Sequence, residues 1–166
     1  MATLGGCAST PVASQTTGVA SYLQSEEKLS AYSDVWMMLS MWHIAAAHGD
    51  YDNYFSRMTD DAVFLGTDPE ERWTRPEFEA FARPYFDGKE AWTYTMVDRN
   101  VILEPGEDPA VAWFDESLDN KKYGRCRGTG VALRGDDGKW RIAHYSLTFL
   151  IPNEKTPEVM QAVYGQ

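Results

Sequence analysis

The sequence has 166 residues, of which 43% are hydrophobic and 13% aromatic, and this composition excludes a largely disordered chain. Its length fits one domain with a sizeable core. The formal net charge of -10 argues against a nucleic-acid partner, and no run approaches the roughly 18 apolar residues of a membrane-spanning helix.

Residues 1–24 are predicted to form a flexible leader or tether, because no charged residue precedes Glu26 and the side chains are mostly small. Within them, Leu4-Gly5-Gly6-Cys7 resembles the cleavage box of bacterial lipoproteins, in which Cys7 would be lipidated. A charged and apolar leader should precede such a box, so we expect the chain to start upstream of Met1. The protein would then be a periplasmic lipoprotein tethered to the cell envelope. If Cys7 is a chance cysteine, we expect a cytoplasmic protein.

The first predicted helix begins after Ser25, a plausible N-cap, and ends at Gly49. His43 and His48 flank its apolar side and are interpreted as satisfied or exposed residues rather than ligands. Apolar residues at helical spacing predict the buried side of this helix: Val35, Leu39, Trp42 and Ala46.

Two further helices are predicted, a short one capped by Asp50 and one opened by a capping box of Thr74 and Glu77. Phe78, Phe81 and Tyr85 share one face of the latter. Between the two helices lie a strand, residues 62–66, and a charged loop, residues 67–73. That loop is either a solvated turn or a rim that carries Glu71 and Trp73 over a pocket.

Four strands follow, over residues 92–103, 110–118, 123–133 and 140–151, and residues 156–166 are predicted to form a short terminal helix. Helices early and consecutive strands late indicate an α+β fold. We expect residues 25–155 to form one domain, in which a strongly curved antiparallel sheet closes around the N-terminal helices.

Alternation along the last three strands sorts their side chains into two faces, if both hairpin loops contain an even number of residues. The first face has an apolar end and a polar end, as a ligand pocket requires. Its apolar end carries Val131, Leu133, Trp140 and Ile142, and its polar end carries Glu116, Arg125, Arg127, His144 and Ser146. The second face is predicted to contact a second subunit, or else the terminal helix, through Trp113, Tyr145, Leu147 and Phe149.

The order of these elements and several short motifs resemble the SnoaL-like domains of the nuclear transport factor 2-like (NTF2-like) superfamily, over roughly residues 31–153. The motifs are Gly49-Asp50, Asp61-Ala62-Val63-Phe64, Gly66-Thr67-Asp68, Glu71-Arg72-Trp73, Trp113-Phe114-Asp115-Glu116, Arg127-Gly128-Thr129-Gly130-Val131 and Trp140-Arg141-Ile142-Ala143-His144-Tyr145. The resemblance implies a cone-shaped fold in which a bent sheet wraps helices around a deep cavity. Many such domains dimerise through the outer sheet face.

The resemblance implies a fold more than an activity, because the superfamily contains isomerases, dehydratases, cyclases and hydrolases as well as members that only bind or assemble. SnoaL-like cyclases use acid-base chemistry without a metal or a nucleotide. We therefore expect no cofactor. The three histidines also lack metal-ligand spacing, so no metal site is predicted.

Candidate catalytic residues lie at the polar end of the first face. His144 is predicted to transfer protons, because an unperturbed imidazole titrates at about pH 6.5. Arg127 would orient a ligand oxygen, and Glu116 would position Arg127 or the imidazole. The alternative is that Glu116, Arg125 and Arg127 form a cross-strand ladder that closes the cone. The predicted ligand contacts are Trp42, Trp73, Tyr85, Phe114, Arg125, Val131, Trp140, Ile142 and Ser146.

The sequence thus favours a small-molecule-binding domain with a partly apolar pocket. A cofactor-free acid-base enzyme, of isomerase, cyclase or dehydratase type, is the first alternative. A dimerisation module with a non-functional cavity is the second.

Overall fold

A computed structural model describes residues 25–88 and 91–165, so the predicted leader and Cys7 lie outside the described residues. The helices and strands are α1 (Glu26–Ala47), α2 (Tyr51–Phe55), β1 (Met58–Leu65), β2 (Arg72–Thr74), α3 (Arg75–Asp87), β3 (Thr95–Leu103), β4 (Val111–Asn120), β5 (Gly124–Arg134), β6 (Trp140–Phe149) and α4 (Thr156–Tyr164). In the described ranges, no helix is both long and apolar enough to cross a membrane.

The predicted helix starts are confirmed by their capping contacts. Ser25 Oγ accepts a hydrogen bond from the Lys28 backbone nitrogen at 3.2 Å, and Asp50 Oδ1 accepts one from the Asn53 nitrogen at 3.2 Å. Each contact satisfies an amide that has no partner within its helix. At α3, Glu77 Oε2 accepts from the Thr74 backbone nitrogen at 2.8 Å and from its hydroxyl at 2.7 Å.

The strands form one curved, open sheet of six strands in the order β2-β1-β6-β5-β4-β3. The predicted α+β class is confirmed. Neighbouring strands run antiparallel except β1 and β6, which are parallel. The consecutive strands from β3 to β6 form a meander. Strand β1 pairs with β6, the last strand of that meander, although the whole meander follows β1 in the sequence.

The core lies between the inner face of the sheet and the first helices. Val35, Leu39, Trp42 and Ala46 of α1 are all buried, as their spacing predicts. The Trp42 ring stacks on Tyr54 of α2 and meets Tyr145 of β6, with centroid distances of 4.7 Å in both cases. One tryptophan thus joins both helices to the sheet.

The predicted sorting of side chains into faces is wrong for β5 and for most of β6. Asn120 pairs with Gly124 and Arg134 pairs with Trp140, so the hairpin loops hold three and five residues, both odd numbers. Gly124 adopts a positive φ of 70°, which is typical of a three-residue loop. An odd loop moves every later side chain to the face opposite the one expected for an even loop.

A bulge in β6 changes the faces once more. Ile142 pairs with Ala132 but His144 pairs with Val131, so Ala143 is an extra residue. Beyond the bulge, Tyr145 and Leu147 turn inward and are buried. His144 therefore lies on the outer face.

Candidate functional site

A pocket of about 370 Å³ opens between α3, the strands β1 and β2, and the loop that joins β4 to β5. We call it the aromatic pocket, because eight of its lining residues carry aromatic rings. Helix α3 supplies Phe78, Phe81 and Tyr85, since the spacing of three and four residues places them on one face. The strands supply Phe64 and Trp73.

The remaining rings come from the segment that follows α3 and from the hairpin loop. Trp92 and Tyr94 lie on the former and Tyr123 on the latter. The loop is fixed by Asn120, whose Oδ1 accepts hydrogen bonds from the backbone nitrogens of Lys122 at 2.9 Å and Tyr123 at 3.0 Å. The Asn120 amide group also donates to the Thr93 carbonyl oxygen at 2.9 Å, which ties the loop to the segment before β3.

Many of these rings lie nearly parallel to one another. Phe64 stacks on Phe78 with centroids 4.0 Å apart, and Trp73 stacks on Phe81 at 4.5 Å. Trp92 continues the series at 5.9 Å from Phe78, with 23° between the ring planes. Such stacked contacts between aromatic rings are favourable and stabilise the relative orientation of the rings in the pocket wall.

Few polar groups reach the aromatic pocket. Glu71 Oε2 accepts a hydrogen bond from the Asp68 backbone nitrogen at 3.1 Å and lies over Gly66. A Cβ atom at Gly66 would stand 2.1 Å from that oxygen, so the glycine leaves the space that the carboxylate occupies. At the mouth, Lys122 Nζ lies 4.7 Å from the centroid of the Tyr123 ring.

The phenol of Tyr94 also faces this environment. Burial raises its pKa well above the ordinary value of 10.0, and the proximity of Cys126, Tyr123 and Glu71 raises it further. The hydroxyl is therefore neutral at physiological pH, where it can donate or accept a hydrogen bond.

A second polar group, the buried carboxylate cluster, lies between α1 and the sheet and consists of Glu116, Arg99, His43 and Tyr145. Glu116 Oε1 is 2.7 Å from His43 Nε2 and accepts a hydrogen bond from the Tyr145 hydroxyl at 2.9 Å. Its Oε2 accepts from Arg99 Nε at 2.9 Å. Arg99 Nη2 is 2.8 Å from the same oxygen, at an angle that makes the contact an ion pair rather than a hydrogen bond.

The strands and helix α1 hold the members of the buried carboxylate cluster in place. Arg99 and Glu116 are direct cross-strand neighbours on β3 and β4. Arg99 Nη1 donates to the Trp36 carbonyl oxygen and to Ser40 Oγ, both at 2.9 Å, which anchors it to α1. Gly128 leaves room for the contact with Tyr145, since a Cβ there would stand 2.0 Å from the tyrosine hydroxyl.

The cluster holds Glu116 in its ionised form. Burial alone would raise its pKa, but the contact with His43, the charge of Arg99 and the Tyr145 hydrogen bond outweigh it, so the pKa lies below 4.5. The pKa of Tyr145 is raised well above its ordinary value by burial and by the Glu116 charge. A carboxylate with so many partners is a weak proton donor and a weak base.

The structure brings only some of the predicted site residues together. Trp73 and Tyr85 line the aromatic pocket, and Glu71 lies beside Trp73 as the rim interpretation predicts. Four others are buried and do not line that pocket: Trp42, Phe114, Trp140 and Ile142. Trp140 instead borders a more polar groove with Met37, Arg57 and Arg141.

Five predicted site residues lie on the outer face of the sheet, which corrects their predicted place in a pocket. They are Arg125, Arg127, Val131, His144 and Ser146. Arg125 binds the exposed Asp119, with Nε 2.6 Å from Oδ1. Because Glu116 points inward, neither Arg127 nor His144 is its partner. This geometry removes the basis on which those two were predicted to be catalytic.

Sequence reasoning missed Arg99 and His43 as partners of Glu116. Arg99 alternates with Val101 and Leu103, and that period of two places it on the buried face of β3. His43 follows Leu39 by four residues on the buried side of α1. Both signals are present in the sequence. Among the described residues, no group of three or more His, Cys, Asp and Glu could hold a metal ion.

The model of the SnoaL-like domain family matches residues 35–152. Comparison with curated protein sequences gives no match. Among solved structures, the chain is similar to an NTF2-like protein of unknown function from Pseudomonas putida KT2440, with a TM-score of 0.61, 16% identity, and coverage of 76% of this chain and 92% of that one.

Two other similar structures have names that suggest activities. One is a candidate dehydratase of the NTF2-like family from Streptomyces avermitilis, with a TM-score of 0.59, 15% identity, and coverage of 74% of this chain and 98% of that one. The other is a candidate ketosteroid isomerase from Parabacteroides distasonis, with a TM-score of 0.53, 16% identity, and coverage of 79% and 92%. At such low identity the likeness shows the fold alone.

Proposed function

Since the chain belongs to the SnoaL-like domain family, we propose that it binds a small, largely apolar organic molecule in the aromatic pocket. One observation carries this proposal: eight aromatic residues surround a space of about 370 Å³. Pockets for small molecules commonly have volumes of about 300–1,000 Å³, mostly apolar walls and few polar groups. The aromatic pocket has all three properties.

A cofactor-free acid-base enzyme is the second candidate. It is favoured by the 2.7 Å contact between His43 and Glu116, because a carboxylate can orient an imidazole for proton transfer. We prefer binding for two reasons. Glu116 is 1% exposed and does not line the aromatic pocket, and its two oxygens are already engaged by Arg99, His43 and Tyr145.

A dimerisation module with a non-functional cavity is the third candidate. The volume of the aromatic pocket speaks against it, since aromatic side chains border this space without filling it.

Binding is tested with N-phenyl-1-naphthylamine, an uncharged dye whose fluorescence rises in apolar surroundings. We expect the wild-type protein to bind it saturably and Trp73→Ala to bind it about 10-fold more weakly, because that change removes a large wall of the pocket. Trp113→Ala, a matched change on the outer sheet face, should leave the affinity unchanged. Equal loss of affinity in both variants, or no saturable binding, would refute the proposal.

A further inference from the structure

We propose that the aromatic pocket selects organic cations, that is, an amine or a quaternary ammonium group on an apolar body, with Glu71 as the counter-charge. This inference rests on the proposed function of the same pocket and adds the chemical class of its ligand.

The first observation is a carboxylate that is both positioned and available. Glu71 is partly exposed and lines the pocket, and the backbone nitrogen of Asp68 holds its Oε2 at 3.1 Å. Among the described residues, its Oε1 accepts no hydrogen bond and no cation lies within ion-pair distance. With no partner among these residues, Oε1 can accept a charge-assisted hydrogen bond from a bound ammonium.

The second observation is the density of aromatic rings in the pocket that Glu71 lines. The face of an aromatic ring is electrostatically negative, and it attracts a cation that lies within about 6 Å of the ring centroid. Trp73, Phe81 and Trp92 border the same space as Glu71. Rings and a carboxylate together match both the apolar body and the charge of an organic cation.

The third observation is that one ring of the pocket already holds an ammonium group. Lys122 Nζ lies 4.7 Å from the centroid of the Tyr123 ring at the mouth. The interaction with Tyr123 also raises the pKa of Lys122 above its ordinary value of 10.5, so the side chain is charged at physiological pH. A ligand ammonium would find the same kind of surface deeper in the pocket.

Lys122 is the only positively charged side chain among the described residues that line the pocket. It is exposed, so solvent and salt screen its repulsion of an incoming cation. The formal net charge of the whole chain is -10, which raises the local concentration of cations. An anionic ligand would instead be repelled by the Glu71 carboxylate, and none of the described lining residues offers it a buried positive charge.

The test compares three probes with the same aromatic body: 3-phenylpropylamine, 3-phenylpropan-1-ol and 3-phenylpropanoate. Affinities are measured at pH 7 by quenching of tryptophan fluorescence and by ligand-observed NMR. We expect the amine to bind about 10-fold more tightly than the alcohol and the acid to bind most weakly. In Glu71→Gln the amine should lose most of this advantage, while the affinity for the alcohol stays the same.

Two further variants separate the role of Glu71 from general effects of charge. Glu70→Gln removes the neighbouring exposed carboxylate, which does not line the pocket, and should leave all three affinities unchanged. Lys122→Met removes the like charge at the mouth and should tighten the amine about twofold, a small effect because the site is screened. This second variant tests the sign of the selectivity even if Glu71→Gln folds poorly.

Each contrary outcome has a definite meaning. If the alcohol binds the wild-type protein as tightly as the amine, the cation inference is wrong and the proposed function stands. If the acid binds most tightly, the inference is also wrong, and Lys122 is the dominant charge. If the amine is preferred equally in Glu71→Gln, the assignment to Glu71 is wrong. If neither these probes nor the uncharged dye bind, both proposals fail.

Discussion

Glu116 is a buried charge whose contacts link α1 to the sheet. Its carboxylate is compensated by the Arg99 guanidinium, and the guanidinium in turn holds the Trp36 carbonyl of α1. A buried pair of this kind does not by itself prove a large stabilisation, because desolvation offsets much of the attraction. Removal of only one partner, however, leaves a buried charge without compensation.

Glu116→Gln is therefore expected to lower the free energy of unfolding by about 3–5 kcal/mol at pH 7, measured by urea denaturation. The effect should depend on pH. The pKa of Glu116 is lower in the folded protein than its ordinary value of 4.5, so ionisation stabilises the fold above that pH. This stability is lost as the pH falls through the folded pKa.

The difference between wild type and Glu116→Gln should consequently shrink as the pH is lowered from 7 into the range below the ordinary pKa of 4.5. Glu107→Gln, a change of an exposed carboxylate, serves as the control and should show no comparable trend. A difference that stays constant down to the acid transition would contradict an ionised Glu116.

Two fully buried tyrosines provide a matched comparison. The Tyr145 hydroxyl donates to Glu116, whereas the Tyr54 hydroxyl makes no hydrogen bond among the described residues. The Trp92 indole lies near enough to affect the pKa of Tyr54, but without hydrogen-bond geometry. The two hydroxyl groups should thus differ in their contribution to stability.

Tyr145→Phe should cost about 1.5–3 kcal/mol, the usual contribution of a hydrogen bond to a charged group, and Tyr54→Phe should cost less than about 0.5 kcal/mol. Thermal or urea unfolding measures both. Equal costs would show that the hydroxyl of Tyr145 does not stabilise the carboxylate cluster.

At the scale of elements, the helix caps could be predicted from the sequence, and the register of the paired strands could not. Ser25, Asp50 and the Thr74–Glu77 pair mark their helix starts, because a cap needs only residues close in sequence. The sequence also indicates where β4, β5 and β6 end. The predicted lengths of the hairpin loops were wrong. Several turn-forming residues lie next to one another in each loop, so the sequence does not show which pair of residues closes the turn.

The carboxylate cluster shows the same limit. The arginine partner of Glu116 depends on the register of β3 and β4, which shifts by a bulge between Met96 and Asp98. A shift of one residue exchanges the inner and outer faces. The aromatic pocket was partly predictable, since Phe78, Phe81 and Tyr85 follow helical spacing. Trp92, Tyr94 and Tyr123 reach it only through tertiary packing.

The three-residue loop between β4 and β5 can be tested through Gly124. Its φ of 70° disfavours side chains with a Cβ atom, although a Cβ at this position would meet no atom within 4 Å. Gly124→Ala should therefore destabilise the protein by about 1–2 kcal/mol through backbone strain alone. Gly124→Asn should cost less, since asparagine tolerates this conformation. If Gly124→Ala were as stable as the wild-type protein, the positive φ at this position of the loop would be contradicted.

At the scale of the whole molecule, homodimerisation through the outer sheet face stays a prediction. The residues expected at the interface change, because the structure alters which side chains lie on that face. Tyr145 and Leu147 are buried inside the fold and are not available to a partner. The outer face instead presents a cross-strand row of Ile102, Trp113 and Val131, and the first two are each 43% exposed. The tether, lipidation of Cys7 and location in the cell envelope also stay predictions.

Light scattering coupled to size exclusion gives the mass in solution. We expect wild type to have the mass of two chains and Trp113→Lys to have that of one, because a charge in the centre of an apolar interface is costly. Met37→Lys, which changes an exposed residue of α1, should remain a dimer. A wild-type monomer at high concentration would contradict the predicted interface.

The central claim concerns the aromatic pocket, and a crystal structure of the protein soaked with 3-phenylpropan-1-ol tests it most directly. We predict that the phenyl ring of the probe lies among Trp73, Phe81 and Trp92. Density for the probe only in the groove beside Trp140 or on the outer sheet face would contradict the claim. So would an aromatic pocket that is closed by its own side chains.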